Sequence, residues 1–196
     1  MSVKLGEISE IKSGYQQPPR SSLRKDINGT HRLVFGKNIS PVGTLEGPFL
    51  QFSPDRKPER YEIRPNDILF LARGTEHKSI CVGPDIEPNL LASSNFYIIR
   101  IKTQTVLPCF LAWYMNQQPA REYYEVNSAG ATIAYISKPA LAALSVPVIP
   151  IERQQTIVKL SRLRDTERVI EQQLTRLRDH LVGKQCLKAL DKGDNV

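Results

Sequence analysis

One regular apolar repeat dominates the last quarter of the chain. Residues 152–185 contain neither proline nor an aromatic side chain, and they predict one helix of about 50 Å at about 1.5 Å per residue. Seven positions in it are separated alternately by three and four residues, the a/d pattern of a coiled coil. Six of the seven are apolar; the set is Leu160, Leu163, Glu167, Ile170, Leu174, Leu177 and Leu181.

A helix this long with so narrow an apolar stripe is not stable alone in water. The rest of the sequence predicts no second long helix, so we expect a second copy of the chain or another protein to cover the stripe. Packing of the stripe onto the rest of the same chain is the less favoured alternative, because the stripe is narrow and is longer than the diameter of a domain. The six apolar residues are therefore the predicted dimerisation residues. We expect residues 186–196 to form a disordered tail.

The first 150 residues have a different character, since they contain all 14 prolines and every aromatic residue. Short runs rich in Val, Ile, Phe and Tyr predict strands, and helical spacing after proline predicts short helices. The strands are expected at residues 32–39, 49–52, 67–73, 78–82, 95–102 and 132–136, and the helices at 109–118, 120–126 and from Ser137 onward. The prediction is an α+β chain: a β-rich domain over residues 1–150 and a long helix over residues 151–185.

Charge and cysteine content narrow the function classes. The chain carries 27 Lys and Arg against 20 Asp and Glu, a formal net charge of +7. Such a balance favours a polyanionic partner, with nucleic acid ahead of a membrane surface. Three cysteines without C-x-x-C spacing and three histidines exclude zinc fingers and a dense disulfide framework. We interpret the cysteines as incidental thiols in a reducing compartment and, with no apolar run of spanning length, expect a cytoplasmic protein.

The sequence contains no G-x-G-x-x-G motif, no P-loop and no G-x-S-x-G motif, and no cofactor or metal is predicted. One alternative is a Mg²⁺-dependent nuclease in which Asp67 and Glu76 hold the ion and Lys78 activates water. The favoured interpretation is simpler: Asp67 starts a strand, and Glu76 and Lys78 belong to a polar hairpin tip. We therefore predict that the protein is not an enzyme.

The strongest signal for a polyanion is a basic loop between residues 13 and 32. Its Arg and Lys side chains can bind phosphate or guanine, and its amides can read adenine. Further candidates lie at residues 37–38 and at the tip 73–78. The predicted DNA-binding residues are Tyr15, Gln16, Gln17, Arg20, Ser22, Arg24, Lys25, Asn28, Arg32, Lys37, Asn38, Arg73, Thr75, His77 and Lys78.

Four segments, in order, carry a resemblance to a known family. They are residues 5–15 (LGEISEIKSGY), 63–70 (IRPNDILF) followed by Arg73-Gly74, 94–100 (SNFYIIR) and 130–154 (GATIAYISKPALAALSVPVIPIERQ). The sequence resembles the DNA-specificity (S) subunit of type I restriction-modification systems, in a half-length form with one target recognition domain.

The resemblance implies a target recognition domain followed by a spacer helix. Full-length members have two such units, whose long helices pack antiparallel and fix the gap in an interrupted DNA site. They bind methyltransferase (modification) subunits and, in the complete enzyme, a restriction subunit. For this chain it implies double-stranded DNA as ligand and a homodimer that reads a palindromic site. Pairing with a different half-subunit, and an assembly protein that does not bind DNA, remain alternatives.

Overall fold

The computed structural model describes residues 1–16, 28–74, 76–128 and 134–191. It divides into two compact units, Met1–Val158 and Lys159–Val196. The strands are β1 (Ser2–Lys4), β2 (Ser9–Ser13), β3 (His31–Val34), β4 (Leu50–Phe52), β5 (Ile68–Leu71), β6 (Arg73–Gly74), β7 (Ser79–Cys81), β8 (Leu90–Ala92), β9 (Phe96–Ile101), β10 (Ala134–Tyr135) and β11 (Ser145–Pro147). The helices are α1 (Leu5–Ile8), α2 (Pro108–Tyr114), α3 (Gln118–Asn127), α4 (Lys138–Ala142) and α5 (Ile151–Asp191). The predicted α+β fold is confirmed.

An antiparallel sheet in the order β2-β9-β5-β7 forms the centre of the first unit. Successive residues of a strand point to opposite faces, and β9 is apolar on both. Tyr97 and Ile99 enter one hydrophobic cluster, whereas Phe96 and Ile98 enter another. The sheet is therefore buried on both sides, which explains why residues 96–99 read as an unbroken apolar run.

Different layers cover the two faces of this sheet. On one face the cluster takes in residues of α1, α2, α3 and α4, such as Leu5, Phe110, Tyr124 and Leu141. On the other face it takes in residues of β3 and β8, which belong to a three-stranded sheet in the order β4-β3-β8. The first unit thus has a helical layer, a central sheet and a smaller sheet.

Four strands, β1, β2, β8 and β11, were not predicted from the sequence. Each is three to five residues long, and each pairs with a strand distant in the sequence. For example, Ile11 of β2 pairs with Ile99, and Val3 of β1 pairs with Val146. Their stability comes from those distant partners, so local pattern could not reveal them.

The short helices follow their sequence signals more closely. The Ser137 side chain accepts a hydrogen bond from the Ala140 N–H and caps α4, as its position before Lys138-Pro139 predicted. Pro108 and Pro119 lie in the first turns of α2 and α3. Each of these two helices has its boundaries within four residues of the predicted ones.

The long helix begins one residue before its predicted start and reaches Asp191. The first residues of the predicted tail, 186–191, thus continue the helix, while residues 192–196 lie outside the described part. The first compact unit extends to Val158 rather than ending at residue 150. The reason is Gln154, which is fully buried and bonds to the Leu107 N–H and to the carbonyls of Thr105 and Ile149.

A disulfide joins the central sheet to the helical layer. Cys81 of β7 and Cys109 of α2 form a disulfide with their Cα atoms 5.0 Å apart, and Cys186 is a free, exposed thiol. The interpretation of all three cysteines as incidental thiols is wrong for this pair. The two residues are 28 apart in sequence, and the sequence held no spacing signal for their contact.

We expect protein denatured without reductant to contain one thiol that reacts with a chromogenic disulfide reagent. After reduction the same protein should contain three. Cys186→Ser is the matched control: it should remove the reactive thiol before reduction and leave two afterwards. Three reactive thiols in unreduced protein would contradict the Cys81–Cys109 bond.

Candidate nucleic-acid interface

The hairpin tip that follows β5 places one arginine at the surface. β6 pairs with β10, so that Arg73 lies opposite Tyr135. The exposed Arg73 guanidinium stacks 4.7 Å from the centre of the Tyr135 ring, a cation–π contact that restricts its side chain. The Tyr135 hydroxyl is 2.7 Å from that of Tyr97. Arg73 is therefore a partly preorganised cation at the surface, which suits contact with phosphate or a guanine edge.

Tyr97 and Tyr135 were not among the predicted site residues. Tyr97 is almost fully buried in β9. Its burial, and next its hydrogen bond with Tyr135, raise the pKa of Tyr97 far above the ordinary tyrosine value. Their contact joins β9 to β10, a pairing of residues 38 apart in sequence that local pattern could not indicate.

His77 of the same tip has a packing role. Its ring stacks on Phe70 and meets Tyr124 edge-on, while its nitrogens lie 3.1 Å from the Leu71 carbonyl and 3.3 Å from the Ser128 hydroxyl. Both ring nitrogens thus have partners within the domain. His77 therefore holds the tip through contacts within the domain, and its contact with DNA stays a prediction.

Lys78 and the candidate pair at residues 37–38 lie together. The Lys78 ammonium donates to the Ser40 carbonyl at 2.8 Å, which ties the hairpin to the turn after β3. The buried Asn38 side chain accepts from the Phe35 N–H and donates to the carbonyls of Glu46 and Pro48. Asn38 is therefore a scaffold for this turn, correcting its prediction, whereas Lys37 is exposed and stays a candidate.

The basic loop lies largely outside the described residues. Gln17, Arg20, Ser22, Arg24, Lys25 and, at the hairpin tip, Thr75 lie there, so their DNA contacts stay predictions. Both ends of the segment meet at Phe52: the Tyr15 ring lies 5.3 Å from the Phe52 ring, and a Cβ on Gly29 would lie 2.5 Å from the Phe52 carbonyl carbon. Tyr15 and Gly29, which lie before and after residues 17–27, are therefore at one place in the fold.

The residues that flank this segment divide into core and surface. Tyr15 is 1% exposed, and its hydroxyl donates to the Asp55 carboxylate; burial, followed by that hydrogen bond, raises the pKa of Tyr15. Tyr15 is thus a core anchor, which corrects its prediction as a DNA contact. Gln16 and Asn28 are exposed. Arg32 pairs with Glu87 and donates to the Pro88 carbonyl at 3.0 Å, which holds it against its own domain.

The Asp67 carboxylate, which the nuclease alternative needs as a metal ligand, forms hydrogen bonds within the domain instead. Asp67 is 3% exposed, and its oxygens accept from Arg100 at 2.8 and 3.0 Å and from the Arg64 N–H at 2.8 Å. The hydrogen bonds from Arg100 to Asp67 are the main reason that the pKa of Arg100 is raised. Among residues 1–16, 28–74, 76–128 and 134–191, no group of three His, Cys, Asp or Glu side chains is placed to hold a metal ion. Asp67 acts as a structural ion-pair partner.

Comparison with solved structures gives several strong matches. The HsdS subunit from Thermoanaerobacter tengcongensis matches 87% of this chain at 20% identity with a TM-score of 0.60. The type I restriction-modification S subunit from M. genitalium matches 82% at 12% identity with a TM-score of 0.54. The chain has the fold of a type I specificity subunit. A structure concerned with complex assembly and conformational transition of the type I system matches 98% at 21% identity with a TM-score of 0.57.

The specificity-subunit fold found here corresponds to part of those proteins. This chain covers 38%, 37% and 44% of the three matched chains, less than half of each. No protein-family model and no curated protein sequence matches the chain. The family resemblance inferred from the four sequence segments is thus supported through three-dimensional structure, where the identity is 21% or lower.

The helix of the second unit leaves its predicted contact residues at the surface. The six apolar residues of the stripe are between 46% and 61% exposed, Leu174 being the least and Leu160 the most. Single exposed leucines are ordinary, but a row of apolar residues on one helix face, interrupted here only at Glu167, is typical of a contact surface. None of the described helices is apolar enough over a sufficient length to cross a bilayer.

Proposed function

We propose that this protein is a non-catalytic DNA-specificity subunit of a type I restriction-modification system. In this proposal the first unit binds one half of a double-stranded DNA site. Two copies pair through the exposed stripe of α5, so that the dimer reads an interrupted palindrome and positions methyltransferase subunits. Where the system also restricts, the same dimer positions the restriction subunit. The match of 87% and 82% of this chain to two S subunits carries the proposal.

The charge and the tip geometry agree with DNA as the ligand. The chain has a formal net charge of +7, and Arg73 and Lys37 are exposed cations of neighbouring turns. Lys78 bridges these two turns through the Ser40 carbonyl. Phosphate contacts then supply most of the affinity, which makes binding fall steeply with salt.

Selection of binding sites from a pool of random duplexes tests this function. We expect two inverted half-sites with a constant gap between them, because a two-fold protein dimer reads a two-fold site. Binding should weaken strongly between about 50 and 200 mM salt, as a protein with several phosphate contacts does. Failure to enrich any sequence would favour the assembly-protein alternative and contradict the proposal.

Arg73→Ala should weaken binding to the selected site by about 1–3 kcal/mol and relax the preference at one base pair. Fluorescence anisotropy with matched and single-base variant duplexes measures both effects. Lys102→Ala is the control. Lys102 is exposed, and it lies six residues after Phe96, the β9 residue that pairs with Leu71 at the base of the tip. Six residues of strand span about 20 Å. Equal losses for both variants would contradict a direct role for Arg73.

A further inference from the structure

The edges of the apolar stripe on α5 carry a definite charge pattern. Heptad numbering puts Leu160, Glu167, Leu174 and Leu181 at position a, and Leu163, Ile170 and Leu177 at position d. Arg164, Glu171 and Arg178 then occupy position e, while Lys159, Thr166, Gln173 and His180 occupy position g. All of these edge residues are exposed. The e and g positions of a coiled coil select partner and orientation.

A parallel pairing of two copies is unfavourable on this pattern. In a parallel dimer each a residue faces its own equivalent, so Glu167 would meet the partner's Glu167 in the seam. Position g would flank position e of the next heptad, which brings Lys159 beside the partner's Arg164. Both contacts oppose like charges, and the symmetry of the dimer doubles the second.

Reversing one helix changes both contacts. Position a then faces position d of the partner, and each e edge lies against the partner's e edge. If Leu160 faces the partner's Leu177, Leu163 faces the partner's Leu174, and Glu167 faces the partner's Ile170. Three types of layer, each occurring twice, then use every apolar residue of the stripe except Leu181.

In this register the e edges are complementary. Arg164 of each copy lies within two residues, or about 3 Å along the axis, of the partner's Glu171. A shift of one heptad in one direction sets Arg164 against the partner's Arg178 and Glu171 against the partner's Glu171. A shift in the other direction sets Arg164 against the partner's Arg164. Only the first of these three registers pairs opposite charges.

We propose the register in which two copies of α5 pair. In the antiparallel orientation that the family resemblance implies, Leu160 lies opposite the partner's Leu177, and two reciprocal Arg164–Glu171 ion pairs form. The inference rests on the homodimer proposed above and adds to it the residues that select register and orientation. Glu167 disfavours the parallel orientation, because only in a parallel dimer does it face the partner's Glu167. A polar residue at one a position is known to specify a coiled coil at some cost in stability.

Charge reversal separates this register from the alternatives. Sedimentation of the full chain at about 50 mM salt, where screening is weak, gives the dimer dissociation constant. Arg164→Glu and Glu171→Arg should each raise it about tenfold or more, because two attractions become two repulsions. An equimolar mixture of the two variants should form heterodimers close to wild-type affinity, since both of its pairs are again attractive. Arg176→Glu, the same charge change at outward position c, should have no effect.

Three results of these measurements would contradict the proposed register, the homodimer or both. Tighter dimerisation of Arg164→Glu would overturn the antiparallel register, because a parallel dimer would gain attraction to the partner's Lys159. A wild-type dimer that neither single variant weakens would overturn the register and leave the homodimer standing. A monomeric wild-type chain would overturn the homodimer and this inference with it.

Discussion

The double substitution Leu174→Glu and Leu177→Glu is expected to convert the dimer into a monomer. These leucines occupy neighbouring a and d positions of the proposed seam, and both are about half exposed in the single chain. In the dimer the change would bury four carboxylates without partners, each at a cost of several kcal/mol. The dissociation constant should therefore rise by more than about a thousandfold, as measured by sedimentation equilibrium.

Gln172→Glu with Thr175→Glu provides the matched control. These substitutions add the same charge at positions f and b, on the outward side of the same helix. They should leave both the dimer and the helix content by circular dichroism unchanged. If the leucine variant remained dimeric, α5 would not be the interface, and the spacing between the two DNA half-sites would need another origin.

Asp67→Ala should strongly destabilise the first unit. Removing the carboxylate leaves the Arg100 guanidinium, whose side chain is 18% exposed, without its ion-pair partner, and leaves the Arg64 N–H without its acceptor. Breaking a buried pair from one side costs about 3–5 kcal/mol. Urea unfolding followed by tryptophan fluorescence reports this, since Trp113 packs against the same core.

The exposed pair Glu10–Lys12 offers a comparison within the same unit. Both side chains are more than a third exposed, so solvent screens their attraction. Glu10→Ala should unfold close to the wild-type urea midpoint. Equal midpoints for Asp67→Ala and Glu10→Ala would show that the Asp67–Arg100 pair is not buried as described, and would reopen a functional role for Asp67.

Features with a local cause could be predicted from the sequence. The loss of proline after Pro150 placed the start of α5 to within one residue, and Ser137 marked the first turn of α4, because both signals lie within a few residues of their effects. β2 could not be predicted in this way. Its sequence, SEIKS, has one apolar residue, Ile11, and so no alternation of apolar and polar residues; it becomes a strand by pairing with residues about 90 positions later.

The candidate site shows the same limit more sharply. Residue type alone marked Tyr15, Asn38 and His77 as DNA contacts, because aromatic and amide side chains serve both readout and packing. The structure assigns the three to packing through partners 8 to 51 residues away. Arg73 and Lys37, whose charges are costly to bury, stay at the surface.

The self-complementary edge of α5 has a consequence for cells that hold more than one such chain. Any homologue with a cation at the place of Arg164 and an anion at the place of Glu171 would compete for the same seam by mass action. Mixed dimers would then combine two different target recognition domains and recognise an asymmetric sequence. A reversed charge pair in the second chain would disfavour mixed pairs and keep the two recognition repertoires apart.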